Sequence, residues 1–349
     1  MKEALTDHFS QEPSQGYSKI NGRLSLKCRV CGNKKNNNLL KCKNMRVATK
    51  DVFHYVFCNK CESLSISEIP KNLGKFYEGY YSFGPVQDYE SKFRKFAKKH
   101  FIYSPSFMKA LFSKCLSSSN DLSFKSIDFD KINTHSMILD VGCGTGQLVF
   151  DLTNLGFSNA FGIDPFLNES IEYANGCSVL KKSIFEMKGS WDLIMVHHVF
   201  EHMEFQQDVL TQLASLISEN GTILIRIPNI DSYAFRKYQE NWYGVQPPVH
   251  LALPSINAMK TMISKAELDL VDIKGENIME FWYHSLAYSL NIWDYSKYGI
   301  RTHMKNHSLR AKPKIVSKQM KKAFSSLNRR IVNTPELCDW VCFYLKKGV

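Results

Sequence analysis

The middle of this chain alternates between two hydrophobic patterns. Short apolar runs such as MILDV, NAFGID and WDLIMV are separated by amphipathic stretches such as QLVFDLTNLG and LNESIEYANG. Buried parallel strands read as continuous apolar runs, whereas an amphipathic helix places apolar residues on one stripe. From residue 136 onward, the pattern therefore predicts an α/β domain built on a doubly wound parallel sheet.

The first of these apolar runs ends in a glycine-rich turn, Asp140-Val-Gly142-Cys143-Gly144-Thr-Gly146. In open α/β sheets, ligands bind at the carboxyl ends of the strands, so this turn is where a cofactor is expected. A dinucleotide fold needs G-x-G-x-x-G/A, and here the third glycine comes one residue early. NAD is therefore disfavoured, and the G-K-[ST] step of a P-loop does not follow these glycines.

The D-x-G-x-G-x-G arrangement resembles motif I of class I S-adenosylmethionine-dependent methyltransferases. The resemblance covers about 136–274 and resumes in the last apolar run, 338–346. It implies a Rossmann-like fold with S-adenosylmethionine as cofactor, because glycines let the backbone approach the methionine and ribose closely. Asp140 would orient the methionyl end, and Asp164, at the end of FGID, would bind the two ribose hydroxyls.

The same resemblance implies cofactor contacts at the carboxyl ends of successive strands. They are Asp140, Gly142, Cys143, Gly144, Gly146, Asp164, Pro165, Ser183 and His197. At the position expected to read adenine, many relatives carry an acid, and here the chain reads KKSIF. Ser183 would be the weaker reader of the base.

A histidine-rich stretch follows the run WDLIMV. His198-Val-Phe-Glu201-His202 matches the H-x-x-E-H pattern of a zinc peptidase class, but the surrounding strand pattern does not supply the peptidase context. Some lipid-quinone O-methyltransferases resemble this chain here, with E-x-x-E-H used for a divalent ion. Two interpretations stay open: a variant metal site, or a loop locked by hydrogen bonds from Glu201 and His202.

Methyl transfer from a sulfonium is an in-line displacement that also requires the removal of one acceptor proton. An imidazole near neutral pKa suits that task. His250 lies in NWYGVQPPVHL, a long loop of the kind that carries substrate contacts, and is the first candidate base. His198 is the second, and Glu201 and His202 complete the predicted catalytic set. The alternative is that His250 is structural.

Zinc-knotted sugar C-methyltransferases resemble this chain in layout, and a Glu-His step in this loop supplies their base. Here the step reads Val249-His250, so O-, N- and C-methylation all stay open. Other chains with a front knuckle pair, Y-x-x-x-YYS and P-x-H-L look like bacterial methyltransferases encoded among polysaccharide-building enzymes. That resemblance implies a sugar or nucleotide-sugar acceptor in polysaccharide biosynthesis.

Two C-x-x-C knuckles near the start predict a structural zinc. Their ligands are Cys28, Cys31, Cys58 and Cys61. Four thiolates close a tetrahedral shell, so this ion should stabilise a small ribbon-like fold and leave no position for catalysis. The spacer is longer than the usual 15 to 20 or so residues, and Cys42 or His54 could replace one ligand.

These patterns divide the chain into a zinc-ribbon-like region 1–75, an aromatic and helical connector 76–135, and the methyltransferase domain 136–349. A helical insertion at about 280–337 precedes the last strand. The aromatic run FYEGYYSF opens the connector and covers a ligand or packs between domains. Within the insertion, 301–330 holds ten lysines or arginines and no acid, as a solvated helical face would.

Composition leaves rival functions open. The net charge of +12 favours an anionic partner such as a nucleic acid or a nucleotide-linked substrate. An RNA base methyltransferase is the main rival, although N-P-P-[FY] and Pro-Cys steps are missing from the sequence; a binding module that kept the fold without catalysis is the other. A polar start and the lack of an apolar stretch of about 18 residues predict a cytoplasmic protein without a membrane span. The oligomeric state is left open.

Overall fold

The computed structural model describes residues 26–45, 51–77, 84, 86, 92–104, 123–289, 325–326, 328, 331 and 333–348. The strands of these segments form two sheets. They are β1 (Asn38–Lys43), β2 (Val52–Phe57), β3 (Leu64–Ile66), β4 (Ile138–Val141), β5 (Ala160–Ile163), β6 (Ile171–Glu172), β7 (Ser178–Leu180), β8 (Trp191–His197), β9 (Ile217–Pro228), β10 (Ala252–Leu253), β11 (Leu268–Glu276) and β12 (Trp340–Lys347).

The larger sheet has eight strands in the order β11-β12-β9-β8-β4-β5-β7-β6. Its centre is parallel, since β4 pairs in the same direction with β5 and β8, and β8 with β9. The strand order reverses at β4, so the crevice for a ligand lies at the carboxyl end of β4. The predicted doubly wound sheet is confirmed. The sheet is mixed and not wholly parallel, because β12 runs antiparallel to both β9 and β11.

Helices cover this sheet on both faces. Those of the described residues are α1 (Lys92–Tyr103), α2 (Gln147–Asn154), α3 (Gln206–Leu216), α4 (Tyr233–Tyr238), α5 (Ile256–Lys265) and α6 (Met279–Ser289). One helix expectation is wrong: the amphipathic stretch LNESIEYANG contains no helix, and β6 in this stretch pairs antiparallel with β7. Ile171 and Tyr173 pack against the core. Apolar residues spaced in this way can do so from an extended segment or from a helix, so the spacing did not distinguish a strand from a helix.

Two hydrophobic clusters fill the spaces between sheet and helices. One packs α3 and α5 against β8, β9 and β12 and includes Ile194, Leu213 and Phe343. The other packs α2 against β4 and β5 and includes Leu152 and Ile138. Each fully buried aliphatic or aromatic side chain contributes about 1.5–3 kcal/mol, so the crevice at the carboxyl ends stands on a rigid support.

The smaller sheet joins the cysteine-rich region to the rest of the chain. It has the order β1-β2-β3-β10, and β10 belongs to the segment that follows His250. This sheet therefore takes strands from both sides of residue 75, and the predicted division of the chain into domains there stays a prediction.

Parts of the predicted layout lie outside the described residues. These are most of the aromatic run, the basic segment 301–324 and most of the insertion after Ser289. Within the described segments, none of the helices combines the length and apolarity needed to cross a membrane.

Candidate functional site

The glycine turn after β4 adopts a backbone that side chains oppose. Gly142, Gly144 and Gly146 have φ values of 71°, 58° and 88°, in the left-handed region that residues with a Cβ rarely adopt. A Cβ on Gly142 would lie 2.5 Å from the Val199 side chain, and one on Gly146 would lie 2.3 Å from Val179. Both positions therefore require glycine, because a side chain would clash with its neighbours and because the backbone φ is positive.

Two carboxylates flank this turn. Asp140, inside β4, is buried, and burial together with the neighbouring Asp164 raises its pKa to about 8. Asp164 follows β5, and its carboxylate accepts hydrogen bonds from the backbone N–H groups of Gly144 at 3.0 Å and Phe166 at 2.9 Å. Burial raises the pKa of Asp164 as well. Asp164 thus fixes the turn to the tip of the adjacent strand.

The remaining predicted cofactor residues surround the same crevice in different ways. The Cys143 thiol fills the space beside Gly162, where a Cβ would approach its Sγ to 2.5 Å, and burial raises its pKa, which keeps it neutral. Pro165 is exposed beside Asp164. Ser183 caps the short helix Ile184–Glu186, and its hydroxyl accepts from the Phe185 N–H. An adenine contact by Ser183 stays a prediction.

His197 ends β8, directly beside the glycine turn in the sheet. Burial and the Arg226 charge lower its pKa to about 3, so the ring is neutral. Within the described segments of the chain, neither ring nitrogen has a hydrogen-bond partner.

His198 contacts Arg226 and Trp340 and is not in the group of possible metal ligands that contains Glu201 and His202. Its Nε2 lies 2.8 Å from a guanidinium nitrogen of Arg226, and its ring packs edge-on against Trp340 with centroids 3.8 Å apart. A guanidinium can only donate, so Nε2 accepts and the imidazole proton is on Nδ1. Burial and the adjacent Arg226 lower the pKa of His198 well below its usual value. These contacts disfavour His198 as the base.

The structure instead brings Glu201, His202 and His250 together. One candidate ligand atom from each lies within 4.8 Å of the others. The carboxylate of Glu201 is 3.9 Å from Nε2 of His250, and the rings of His202 and His250 meet edge to face with centroids 4.7 Å apart. Glu201 and His250 are buried. Burial raises the pKa of Glu201 to about 8.

One backbone hydrogen bond and two hydrogen bonds from a side chain join the loop of His250 to the turn of Glu201. The Leu251 N–H donates to the Glu201 carbonyl at 2.8 Å. The side-chain amide of Gln206 donates through Nε2 to the Phe200 carbonyl at 2.8 Å and to the Ala252 carbonyl at 3.0 Å. The two segments are far apart in sequence, and these bonds fix their separation.

The smaller sheet supports this loop from the other side. The Tyr55 hydroxyl on β2 donates to the His250 carbonyl at 2.8 Å, and the Ile66 N–H donates to the Leu251 carbonyl at 2.9 Å. Ser255 donates from its hydroxyl to the Cys61 carbonyl at 2.6 Å. The cysteine-rich region therefore positions the backbone of the candidate base.

The four knuckle cysteines form one group with the dimensions of a zinc site. The Sγ atoms of Cys28 and Cys61 are 3.7 Å apart, and those of Cys31 and Cys58 are 3.5 Å apart. Thiolates around a tetrahedral zinc with Zn–S bonds of about 2.3 Å are separated by about 3.8 Å. The four residues thus fit a zinc ion. The alternative ligands, Cys42 and His54, lie outside this group.

Two residues of the site were not predicted from the sequence. Arg226 carries a buried positive charge under His198 and pairs with Glu276 at 2.5 Å. The Tyr77 hydroxyl lies 3.1 Å from Nδ1 of His202, and its ring stacks on Phe166. For Arg226, the available signal was an arginine inside the apolar run TILIRIP. For Tyr77, the sequence offered no signal beyond the aromatic run in which it lies.

Known proteins with similar sequences are methyltransferases. Residues 110–273 match the family described as "Methyltransferase domain". "Ubiquinone biosynthesis O-methyltransferase" of Rickettsia bellii is 25% identical over 153 residues, 40% of this chain and 63% of that protein. The same-named protein of Rickettsia felis is 27% identical over 154 residues, 40% and 62%. The chain thus matches less than two thirds of the length of these relatives.

Solved structures with related folds have low sequence identity. A SAM-dependent methyltransferase from Archaeoglobus fulgidus is 17% identical, with a TM-score of 0.40, over 68% of this chain and 99% of that one. An O-methyltransferase of a Brevibacillus brevis multienzyme, in complex with S-adenosyl-L-homocysteine, is 14% identical, with a TM-score of 0.39, over 76% and 82%.

The sheet order, the glycine turn and the family match agree. Over residues 110–273 they show similarity to enzymes that transfer methyl groups. Residues 110–273 are similar to a methyltransferase domain, and the larger sheet has the class I S-adenosylmethionine-dependent methyltransferase fold.

Proposed function

We propose that this protein transfers a methyl group from S-adenosylmethionine to a small polar acceptor bound beside Glu201, His202 and His250. The observation that carries the proposal is the arrangement at the carboxyl end of β4. A turn whose close contacts require glycine lies there between Asp140 and Asp164. This crevice is at the strand-order reversal, where such sheets bind their ligands.

The residues around the crevice would hold S-adenosylmethionine by its different parts. Asp140 and the glycine turn would bind the methionyl end, Asp164 the ribose hydroxyls and Ser183 the adenine. His197 and the turn that follows β8 would then lie near the transferred methyl. In-line attack requires the acceptor beside that methyl, which would place it near the Glu201, His202 and His250 cluster.

The acceptor proton leaves through this cluster. His250 is the candidate base when no ion is bound, since its Nδ1 lies 2.7 Å from the Gly244 carbonyl and therefore carries the proton. The lone pair is then on Nε2, which faces the Glu201 carboxylate. The Glu201 carboxylate would stabilise the imidazolium that forms.

The acceptor we propose is a sugar or nucleotide-sugar hydroxyl of a polysaccharide pathway in the cytoplasm. Buried polar side chains around the crevice favour a hydroxyl-bearing molecule over an apolar one. The relatives' printed name favours a second candidate, a phenolic hydroxyl of a quinone precursor. Mass spectrometry of activated sugars and of catechols after incubation with the enzyme and S-adenosylmethionine separates them by which class gains a methyl group.

A zinc ion held by the four knuckle cysteines completes the proposal. The sulfur separations fit tetrahedral coordination, and the ion would hold the small sheet in place. Its role is structural, because four protein ligands fill its shell.

Calorimetry with S-adenosylmethionine tests the cofactor site. Asp164→Asn should weaken binding at least about tenfold, since one charge-assisted hydrogen bond to the ribose is worth about 1.5–3 kcal/mol. Asp128→Asn, on the surface and paired with Lys131, is the matched control and should bind as wild type does. Equal affinity of both variants would remove Asp164 from the site, and no binding by the wild-type protein would refute the proposed function.

A further inference from the structure

Three side chains that are distant in sequence meet at the acceptor end of the crevice. Glu201 and His202 belong to the short helix Phe200–His202 that follows β8, and His250 comes from the loop before β10. Their candidate ligand atoms lie within 4.8 Å of one another. Ligands of one ion with bonds of about 2.0–2.2 Å lie roughly 3 to 3.5 Å apart, so a movement of about 1 Å closes the group on an ion.

Both histidines are oriented in the way that metal-binding histidines usually are. Nδ1 of His202 lies 2.8 Å from the Val249 carbonyl, and Nδ1 of His250 lies 2.7 Å from the Gly244 carbonyl. A carbonyl only accepts, so each Nδ1 carries the proton and each Nε2 carries the lone pair. A metal-ligating histidine typically donates its other N–H to a backbone carbonyl or carboxylate, which fixes the ring and its tautomer.

Glu201 supplies the third ligand and the negative charge. Its side chain is fully buried, and among the residues that the structure describes neither carboxylate oxygen has a hydrogen-bond partner. A buried carboxylate without hydrogen bonds is costly unless it is paired or coordinates a metal. Because Arg226 holds His198, the second histidine of the group is His250, from the loop before β10, and not His198 of the H-x-x-E-H sequence.

We propose that Glu201, His202 and His250 bind one divalent transition-metal ion that also holds the acceptor oxygen. Two imidazoles and one carboxylate suit ions such as Zn²⁺, Fe²⁺ or Mn²⁺, whereas Mg²⁺ and Ca²⁺ prefer oxygen ligands. Three protein ligands leave positions open for substrate, as in catalytic metal sites. Adjacent hydroxyls of a sugar or a catechol are acceptors that fill two of them.

The role of the ion in the reaction rests on the proposed function. Coordination lowers the pKa of the acceptor hydroxyl, and its proton passes to solvent water. The oxygen then forms its bond to the methyl carbon while the carbon–sulfur bond breaks and the sulfur keeps the electron pair. With the ion bound, His250 is a ligand and not the base. The acceptor hydroxyl then loses its proton because it is coordinated to the ion.

Binding of Mn²⁺ tests the site without any need for turnover. Electron paramagnetic resonance measures the loss of the free Mn²⁺ signal as full-length protein of known zinc content is titrated. The wild type should bind one Mn²⁺ per chain, and Glu201→Gln should bind it at least about tenfold more weakly, as loss of supporting groups alone costs about 10–100-fold. Glu204→Gln is the matched control: it lies on the same loop, is exposed, and pairs with Arg29 at 3.5 Å.

The possible results separate folding, metal binding and function. Unchanged S-adenosylmethionine affinity of Glu201→Gln shows that the variant is folded, and His250→Gln gives a second test if it is not. Equal Mn²⁺ binding by the Glu201 and Glu204 variants, or none by the wild type, would overturn the metal site. Methyl transfer that persists in a chelator, with the cysteine-bound zinc retained, would also overturn it and leave the proposed function standing.

Discussion

Gly146 offers a quantitative test of the glycine turn, because its two constraints can be separated. Its φ of 88° opposes any side chain, and an added Cβ would lie 2.3 Å from Cγ2 of Val179. Gly176 has nearly the same φ, 84°, but a Cβ there would meet nothing within 4 Å. Gly176→Ala therefore measures the backbone cost alone, and Gly146→Ala measures the backbone cost together with the clash.

The expected magnitudes follow from these two geometries. The left-handed conformation costs a residue with a Cβ about 1–2 kcal/mol, and forcing a methyl group into a packed site costs about 1–3 kcal/mol more. Gly176→Ala should therefore lower the free energy of unfolding by about 1–2 kcal/mol, and Gly146→Ala by about 2–5 kcal/mol. Urea denaturation followed by circular dichroism measures both values.

Val179→Ala provides the compensating change. Alone it should cost about 1.6 kcal/mol for two lost methyl groups, but beside Gly146→Ala it removes the clashing atom. The double variant should then be more stable than the sum of the single effects by about 1–3 kcal/mol. Calorimetry should also show weaker S-adenosylmethionine binding in Gly146→Ala and unchanged binding in Gly176→Ala. Equal stability of the two alanine variants, or strict additivity in the double variant, would refute the steric argument.

Three further predictions concern the rest of the site. Cys61→Ser should release zinc, which elemental analysis measures. It should lower the rate of methyl transfer much more than the affinity for S-adenosylmethionine, because the small sheet supports the loop of His250; equal losses of both would contradict this. The pKa of Asp140 is raised to about 8, so the folded protein binds more protons than the unfolded chain between about pH 4 and 8 and loses stability as pH rises through that window. Asp140→Asn should reduce the slope of stability against pH by up to one proton, and denaturation at several pH values that gave an unchanged slope would disprove it. Arg226→Leu should raise the pKa of His198, since the variant lacks the guanidinium beside Nε2; NMR titration of the ring measures this, and an unshifted pKa would show that burial alone depresses it.

Local patterns predicted the elements that depend on local physics. The apolar runs around β4, β5, β8 and β9 predicted buried strands, and the glycine spacing predicted a tight turn after β4, because both depend on neighbouring residues in the chain. The stretch LNESIEYANG was wrongly expected to form a helix, since a two-residue edge strand and a helix can bury the same side chains. The pairing of β12 between β9 and β11 depends on residues that are far apart in sequence.

The histidines show where such reasoning reaches its limit. The sequence offered His198, Glu201, His202 and His250 without assigning them to partners. Arg226 takes His198 out of the group, while the bond between Leu251 and Glu201 brings His250 into it. A spacing such as H-x-x-E-H describes positions along the chain, but hydrogen bonds are made through space.

The sequence by itself determined the class of fold, the glycine turn after β4 and the four-cysteine group, because strand burial, glycine conformation and knuckle spacing are encoded within short segments. Only the tertiary structure decided that Glu201, His202 and His250 meet and that the small sheet, completed by β10, holds the loop of His250. Those contacts join residues on separate strands and loops, and their distances are set by the packing of the whole domain.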